Sequence, residues 1–381
     1  MKIVIIGAGA IGANCAFRMA QKGAEVVVLE AVAPGSGTSS TSAAWLSSFP
    51  QFGWTESPGR ARLRRTVHAR FAALQAELGG DWLHWDGTLT RGLPSERAEF
   101  RKAFQLCQQR GADLEFLDAP AARRLAPGIV FGDDDEVVRD EHSGWVDAAA
   151  LIALLLERTR ALGGTVDTGR AVTGICREGG RVTGVSLADG EHVGADVIIN
   201  AAGSWGCHVA AMAGVGIPLE LVPGLVVFTE PKPLPVLSTV MNAPTFVIRP
   251  DPSGGVAIIW RGEKLTSIHG RNGPDVGMIM NDVTRVIPAL AGVGIADARM
   301  GVRAIPPGGP VIGALPWLDN FYCAVSHGGI GWGPCWADLL AAEILDGRSS
   351  PDMADFLPQR FYHEPTEIGR FADDAEQLGT A

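Results

Sequence analysis

The sequence predicts an α/β fold in two lobes, one holding a buried parallel sheet and the other an antiparallel sheet. Three observations carry the prediction. The first thirty residues read as strand, glycine turn, helix and strand. Far along the chain, 192–200 is a second apolar strand that runs into a glycine turn and suits a return to the same sheet. Between 217 and 268, short apolar runs are broken by Pro and Gly, as in an antiparallel sheet.

In the first unit, 2–6 is a β-branched run ending at Gly7, and Gly7-Ala8-Gly9-Ala10-Ile11-Gly12 satisfies GxGxxG. Helix-compatible residues fill 13–22, Gly23 stops them, and a second strand covers 25–29. Each glycine has a physical task. Gly7 permits the tight turn, Gly9 lets a pyrophosphate approach the backbone, and Gly12 lets the helix pack close to the sheet. The helix N-terminus then offers N–H groups to phosphate. Glu30 follows the second strand, where a carboxylate accepts hydrogen bonds from ribose hydroxyls and disfavours a 2′-phosphate. The unit thus predicts FAD or NAD rather than NADP, without separating the first two.

Composition narrows the classes. The chain has 381 residues, 46% of them apolar, which is ample material for two connected lobes. A net charge of −10 without a Lys/Arg cluster argues against a nucleic-acid partner. The six cysteines show no CxxC and no framework, so they read as reduced thiols, and no metal is expected. No apolar run approaches a membrane span. The first core strand begins at residue 2 and leaves no room for a signal peptide, so the expected location is cytoplasmic.

The remaining elements follow in order. The loop after Glu30 is rich in Gly, Ser and Thr, and Thr38, Ser39 and Ser40 suit a second phosphate contact, the alternative being a plain linker. An amphipathic helix is predicted over 56–84, a strand over 82–89, and helices over 95–110 and 118–126. Asp147 is the N-cap of a helix running to about 162. Strands are predicted over 165–167, 171–177, 181–187, 192–200, 224–230, 244–250 and 255–260. A helix covers 281–288, a strand 321–326, and a final helix starts near Pro334. The implied division gives the nucleotide lobe 1–85, 146–215 and 296–381 with the C-terminal tail, and the substrate lobe 86–145 and 216–295.

Five blocks in order, VIIGAGAIG…VVVLE, GSGTSSTSAAW, GWVDAAAL, NAAGSW and VRAIPPGGPVIG…HGGIGWGP, resemble the FAD-dependent oxidoreductases of the D-amino-acid oxidase, glycine oxidase and sarcosine oxidase family. The resemblance covers nearly the whole chain and selects FAD over NAD. It implies a glutathione-reductase-type FAD-binding Rossmann domain, with an α+β substrate lobe whose antiparallel sheet roofs the flavin. It also implies oxidation of an amine or amino acid, hydride passing from Cα to flavin N5, and an imine that hydrolyses. Oxygen or another acceptor would take the electrons.

By the same resemblance, Gly7, Gly9, Ala10, Ile11 and Gly12 match the pyrophosphate turn, Glu30 the ribose acid, and Thr38, Ser39 and Ser40 the second FAD loop. Trp45 and Leu46 match backbone along the flavin, Val172 the adenine contact, and Gly203 and Trp205 the turn beside the ribityl chain. Gly329, Ile330, Gly331 and Trp332 match the helix start against the flavin pyrimidine. Arg303 matches the arginine that grips a substrate carboxylate, a task suited to its planar fork, although a surface arginine at a strand end is the plain alternative. Arg249 and Arg261 are rival anchors.

His327 reads either as a proton acceptor or cation at the flavin edge or as a hydrogen-bonded strand-end histidine. Phe49, Phe246 and Trp260, with Trp45, Trp54 and Trp332, are candidate pocket walls, each also a candidate core residue. Three departures leave the substrate open. The two tyrosines, Tyr322 and Tyr362, lie outside the substrate lobe, no cysteine stands where some relatives tether flavin, so FAD is expected to be noncovalent, and Gly328-Gly329 follow His327 where glycine oxidase carries an arginine. The alternatives are a 2-hydroxy-acid dehydrogenase with the same flavin, the flavin subunit of a larger complex and, least supported, an NAD-dependent dehydrogenase. Homo-oligomerisation is unreadable.

Overall fold

The structure is a computed structural model and describes residues 1–47, 57–232, 237–261 and 274–362. Its base is a six-stranded sheet in the order Val311–Leu315, Leu318–Val325, Val197–Asn200, Lys2–Ile6, Glu25–Glu30 and Thr165–Thr168. All neighbours are parallel except the first pair. Lys2–Ile6 lies near the middle, with Ile5 opposite Val28 on one side and Ile199 on the other.

Strand alternation distributes this apolar run between two cores. Ile3 and Ile5 pack with the Ala10–Gln21, Ala148–Ala161 and Gly329–Asp346 helices. Val4 and Ile6 point the other way, toward Val182, Val185 and Val209. Each fully buried Ile or Val contributes about 1.5–3 kcal/mol, so the strand is held from both faces.

The roof is an eight-stranded sheet in the order Ile295–Ile305, Glu220–Thr229, Val256–Trp260, Phe246–Pro250, Val240–Asn242, Thr88–Gly92, Glu136–Asp140 and Glu115–Leu117. It is antiparallel as expected, save where Val240–Asn242 runs parallel to Thr88–Gly92 and joins the two stretches of sequence that build it. One face packs on the Pro274–Val286 helix, and the other looks back at the base.

Local differences from the sequence reading have identifiable causes. Asp147 caps its helix as predicted, its carboxylate accepting from Ala150 N at 3.0 Å. The strand expected over 82–89 is two strands, Leu83–His84 and Thr88–Gly92, parted by a turn in which Gly87 has φ +75°. The last helix begins at Gly329 rather than near Pro334. Its glycines serve close packing: a Cβ on Gly333 would stand 2.7 Å from Asn14 Nδ2, and one on Gly329 3.1 Å from Ile11 Cδ1.

Candidate active site

Between base and roof lies a cavity of about 820 Å³. At its nucleotide end the wall is backbone. Gly7 has φ +102°, which a side chain rarely tolerates, and a Cβ there would stand 2.7 Å from the Ala201 carbonyl oxygen. A Cβ on Gly12 would fall 1.9 Å from the Gly7 carbonyl oxygen, so this glycine sets the helix against its own strand. The Glu30 carboxylate accepts from Ala8 N at 2.8 Å and Val32 N at 2.9 Å, which fixes its oxygens at the cavity edge.

Two helix N-termini meet this cavity, at Gly9 and Gly328, and neither N-cap glycine supplies a capping side chain, the Ala10 N–H of the first being taken by Ser39 Oγ. Uncapped N–H groups and the helix dipole suit anionic or electron-rich groups of a ligand. Gly329, Ile330, Gly331 and Trp332 all reach the wall, as do Trp45, Leu46, Val172, Gly203 and Trp205. With Glu30 at one end and the Gly328 turn at the other, the residues present fit an elongated dinucleotide.

In the second loop Thr38 and Ser39 line the cavity, and Ser39 Oγ accepts from Ala10 N at 3.0 Å. Ser40 is a correction. It is not on the wall, because its hydroxyl bonds the Ser36 and Gly37 carbonyls of its own turn at 3.2 and 2.9 Å. The roof rests directly on this loop. Thr38 Oγ1 and Ser204 Oγ both donate to the Val302 carbonyl at 2.5 Å, and a Cβ on Gly301 would fall 1.7 Å from Thr41 Oγ1.

At the roof end the wall is made of side chains. Val247, Ile259, Arg261 and Arg303 face the cavity. Their sequence neighbours Phe246 and Trp260 do not, which overturns the pocket role expected of both: they enter the core against the Pro274–Val286 helix. Arg249 is also corrected. It is buried, donates to the Ala43 and Pro250 carbonyls at 3.0 and 2.7 Å, lies 3.6 Å from Asp251 and stacks over Trp145. It fastens the roof to the 43–45 segment. Phe49 and Trp54 lie outside the described residues.

Arg303 is half-buried, and its Nε and Nη2 donate to the Val222 and Pro223 carbonyls at 3.5 and 3.2 Å. Burial lowers its pKa from the ordinary arginine value. Arg261 lines the cavity with an exposed side chain; desolvation first, then the charge of Arg303, brings its pKa down to about 10. His327 is pushed down to about 4 by burial, then by Arg303 and Arg60. At neutral pH it is uncharged, so it is not the cation that one reading of the sequence allowed.

The sequence reading missed Arg60 and Arg64, whose guanidinium carbons lie 5.4 and 5.2 Å over the Trp332 ring. The signal was present, since Arg60, Arg64 and Val67 recur at i, i+4 and i+7 on the Pro58–Leu78 helix, and all three line the cavity. Among the described residues, no helix is long and apolar enough to cross a membrane.

Known proteins resemble this chain in sequence and fold. The chain is 25% identical over 404 residues to human mitochondrial sarcosine dehydrogenase, covering 97% of this chain and 42% of that one. It is 24% identical over 410 residues to the hydrogen cyanide synthase subunit HcnC of Pseudomonas aeruginosa, covering 96% and 97%. Its fold matches the crystal structure of glycine oxidase from Geobacillus kaustophilus with a TM-score of 0.84 at 22% identity, over 94% of this chain and 98% of that one. The family model described as FAD dependent oxidoreductase, DAO, matches residues 2–344, and the chain belongs to that family.

Proposed function

We propose that this FAD-dependent oxidoreductase oxidises a small amine or amino acid at the carbon bearing nitrogen, with Arg303 holding a substrate carboxylate. One observation carries the reading: the cavity is cationic at its roof end, and Glu30, at the other end, is the sole carboxylate among the described residues that line it. Arg303 has its Nε and Nη2 steadied by backbone carbonyls, and its remaining N–H groups are available to an anion.

Bound FAD supplies the hydride acceptor for such chemistry. The chain's own residues do the rest. Arg303 orients the substrate by its carboxylate, and the apolar Val247 and Ile259 help exclude water. Burial, and after it the charges of Arg303 and Arg60, keep His327 neutral; the same surroundings lower the pKa of a substrate ammonium nearby, and so favour the neutral amine that can lose hydride. The uncapped helix start at Gly328 favours negative charge developing at that wall. The similarity to a sarcosine dehydrogenase and a glycine oxidase favours nitrogen substrates over 2-hydroxy acids.

The test is an anaerobic absorbance scan of the purified holoprotein with D- and L-amino acids, glycine, N-methyl amino acids and 2-hydroxy acids. The reading expects bleaching by a nitrogen substrate. Bleaching by hydroxy acids alone would replace it. A second reading, a flavin subunit that passes electrons to a partner, is favoured by the relative named as a subunit and by Trp205, which is 60% exposed at the cavity mouth. Bleaching without reoxidation in air, restored by an artificial acceptor, would support it.

A further inference from the structure

We infer that Arg261 and Arg303 are two separate carboxylate anchors, so that the substrate is a short amine carrying two carboxylates: an acidic amino acid or an N-carboxyalkyl amino acid. The inference rests on the amine reading above and names its substrate class.

The two heads are held by different walls. Arg303 lies along the Val222 and Pro223 carbonyls of the Glu220–Thr229 strand, in the space left by Gly224, where a Cβ would stand 3.5 Å from Arg303 Nε. Arg261 reaches the other way, its Nη2 donating to Asn242 Oδ1 on the Val240–Asn242 strand. Those two strands stand three places apart in the sheet, a backbone separation of roughly 14 Å. Heads drawn apart in this way suit one carboxylate each, spaced by a short chain, better than a single carboxylate gripped by both.

Charge makes the same point. Among the described residues no acid faces either arginine, and the charge acting on Arg261 is the like charge of Arg303. One bound monocarboxylate would leave one of these two cavity-lining cations unanswered; two carboxylates would answer both. Asn242 fits the same scheme. Its Oδ1 orients Arg261 while its Nδ2 donates to Thr90 Oγ1 at 3.3 Å, so the second anchor is braced across the joint in the roof.

The experiment is a calorimetric titration of the holoprotein with glutarate and with pentanoate, acids of equal carbon count that differ by one carboxylate. Glutarate is expected to bind at least about tenfold more tightly, the scale of one added hydrogen bond to a charged group. Arg261→Gln should remove that advantage, and Arg261→Lys should restore part of it. Equal affinities in the wild-type protein, or an advantage that survives in Arg261→Gln, would overturn the inference. If the Gln variant does not retain flavin, the wild-type comparison and the Lys variant decide. Bleaching by glycine or alanine with no preference for dicarboxylic amines would overturn the inference and leave the amine reading standing. Tight glutarate binding without bleaching by any amine would uphold the paired anchors and remove the amine reading.

Discussion

At the nucleotide end of the cavity the wall is backbone, with Gly7, Gly9 and Gly12 clearing space for it; at the roof end it is side chains hung from one face of a sheet. The two ends tolerate change differently. The backbone wall fails where an atom is added at Gly7 or Gly12, because the Ala201 and Gly7 carbonyls beside them cannot move aside. A side-chain wall can lose a residue and keep its shape, so substitutions there alter what binds rather than whether the protein folds. The difference also fixes what a sequence reveals: glycines at fixed spacing announce the first wall, whereas the second depends on which way each strand faces.

Substitutions can break or sharpen that contrast. The largest effect is expected from Gly12→Val, whose Cβ would start 1.9 Å from the Gly7 carbonyl oxygen. It should abolish flavin retention and destabilise the fold by about 3 kcal/mol or more, read from flavin content and thermal melting. Retained flavin would show that the wall yields after all. Phe246→Ala, on the core face of the roof, should cost about 3–5 kcal/mol in denaturant unfolding without changing ligand affinity. The neighbouring Val247→Ala should do the reverse, shifting the Michaelis constant with a smaller loss of stability. If both act on stability alone, the assignment of the two faces is wrong.

Arg303→Ala should lower kcat/KM for the carboxylate substrate about a hundredfold while flavin content holds, since it removes a charged, enclosed contact. The effect that is smallest per pH unit concerns His327. Its folded pKa, about 4, lies below the unfolded value, so the unfolded chain binds the extra proton between roughly pH 6.5 and 4, and stability falls as the pH drops through that window. His327→Asn should flatten that fall by up to one proton's worth, about 1.4 kcal/mol per pH unit. An unchanged slope would mean that the histidine is not held neutral.

The nucleotide wall was legible because its physics is local: GxGxxG, Glu30 and the Asp147 cap each act within a few residues or one βαβ unit. The roof was legible as a sheet but not as a face. Phe246–Pro250 reads FVIRP and Val256–Trp260 reads VAIIW, runs without polar alternation, so nothing in them says whether Phe246 or Val247 meets the cavity. Three roof arginines look alike in sequence and part company only through their partners. Arg249 finds Asp251 and Trp145, Arg261 finds Asn242, and Arg303 finds backbone carbonyls. The early start of the Gly329–Asp346 helix was hidden for a related reason, since Gly329, Gly331 and Gly333 resemble a turn until Ile11, Leu46 and Asn14 are packed against them.

The most direct measurement is anaerobic reduction of the holoprotein by one bleaching amino acid, set beside its methyl ester and its deaminated acid. The account predicts that the amino acid bleaches the flavin, that the deaminated acid perturbs the spectrum without bleaching it, and that the ester bleaches at least about a hundredfold less efficiently for want of the anchor at Arg303. An ester as effective as the acid would contradict the carboxylate anchor at the centre of the account.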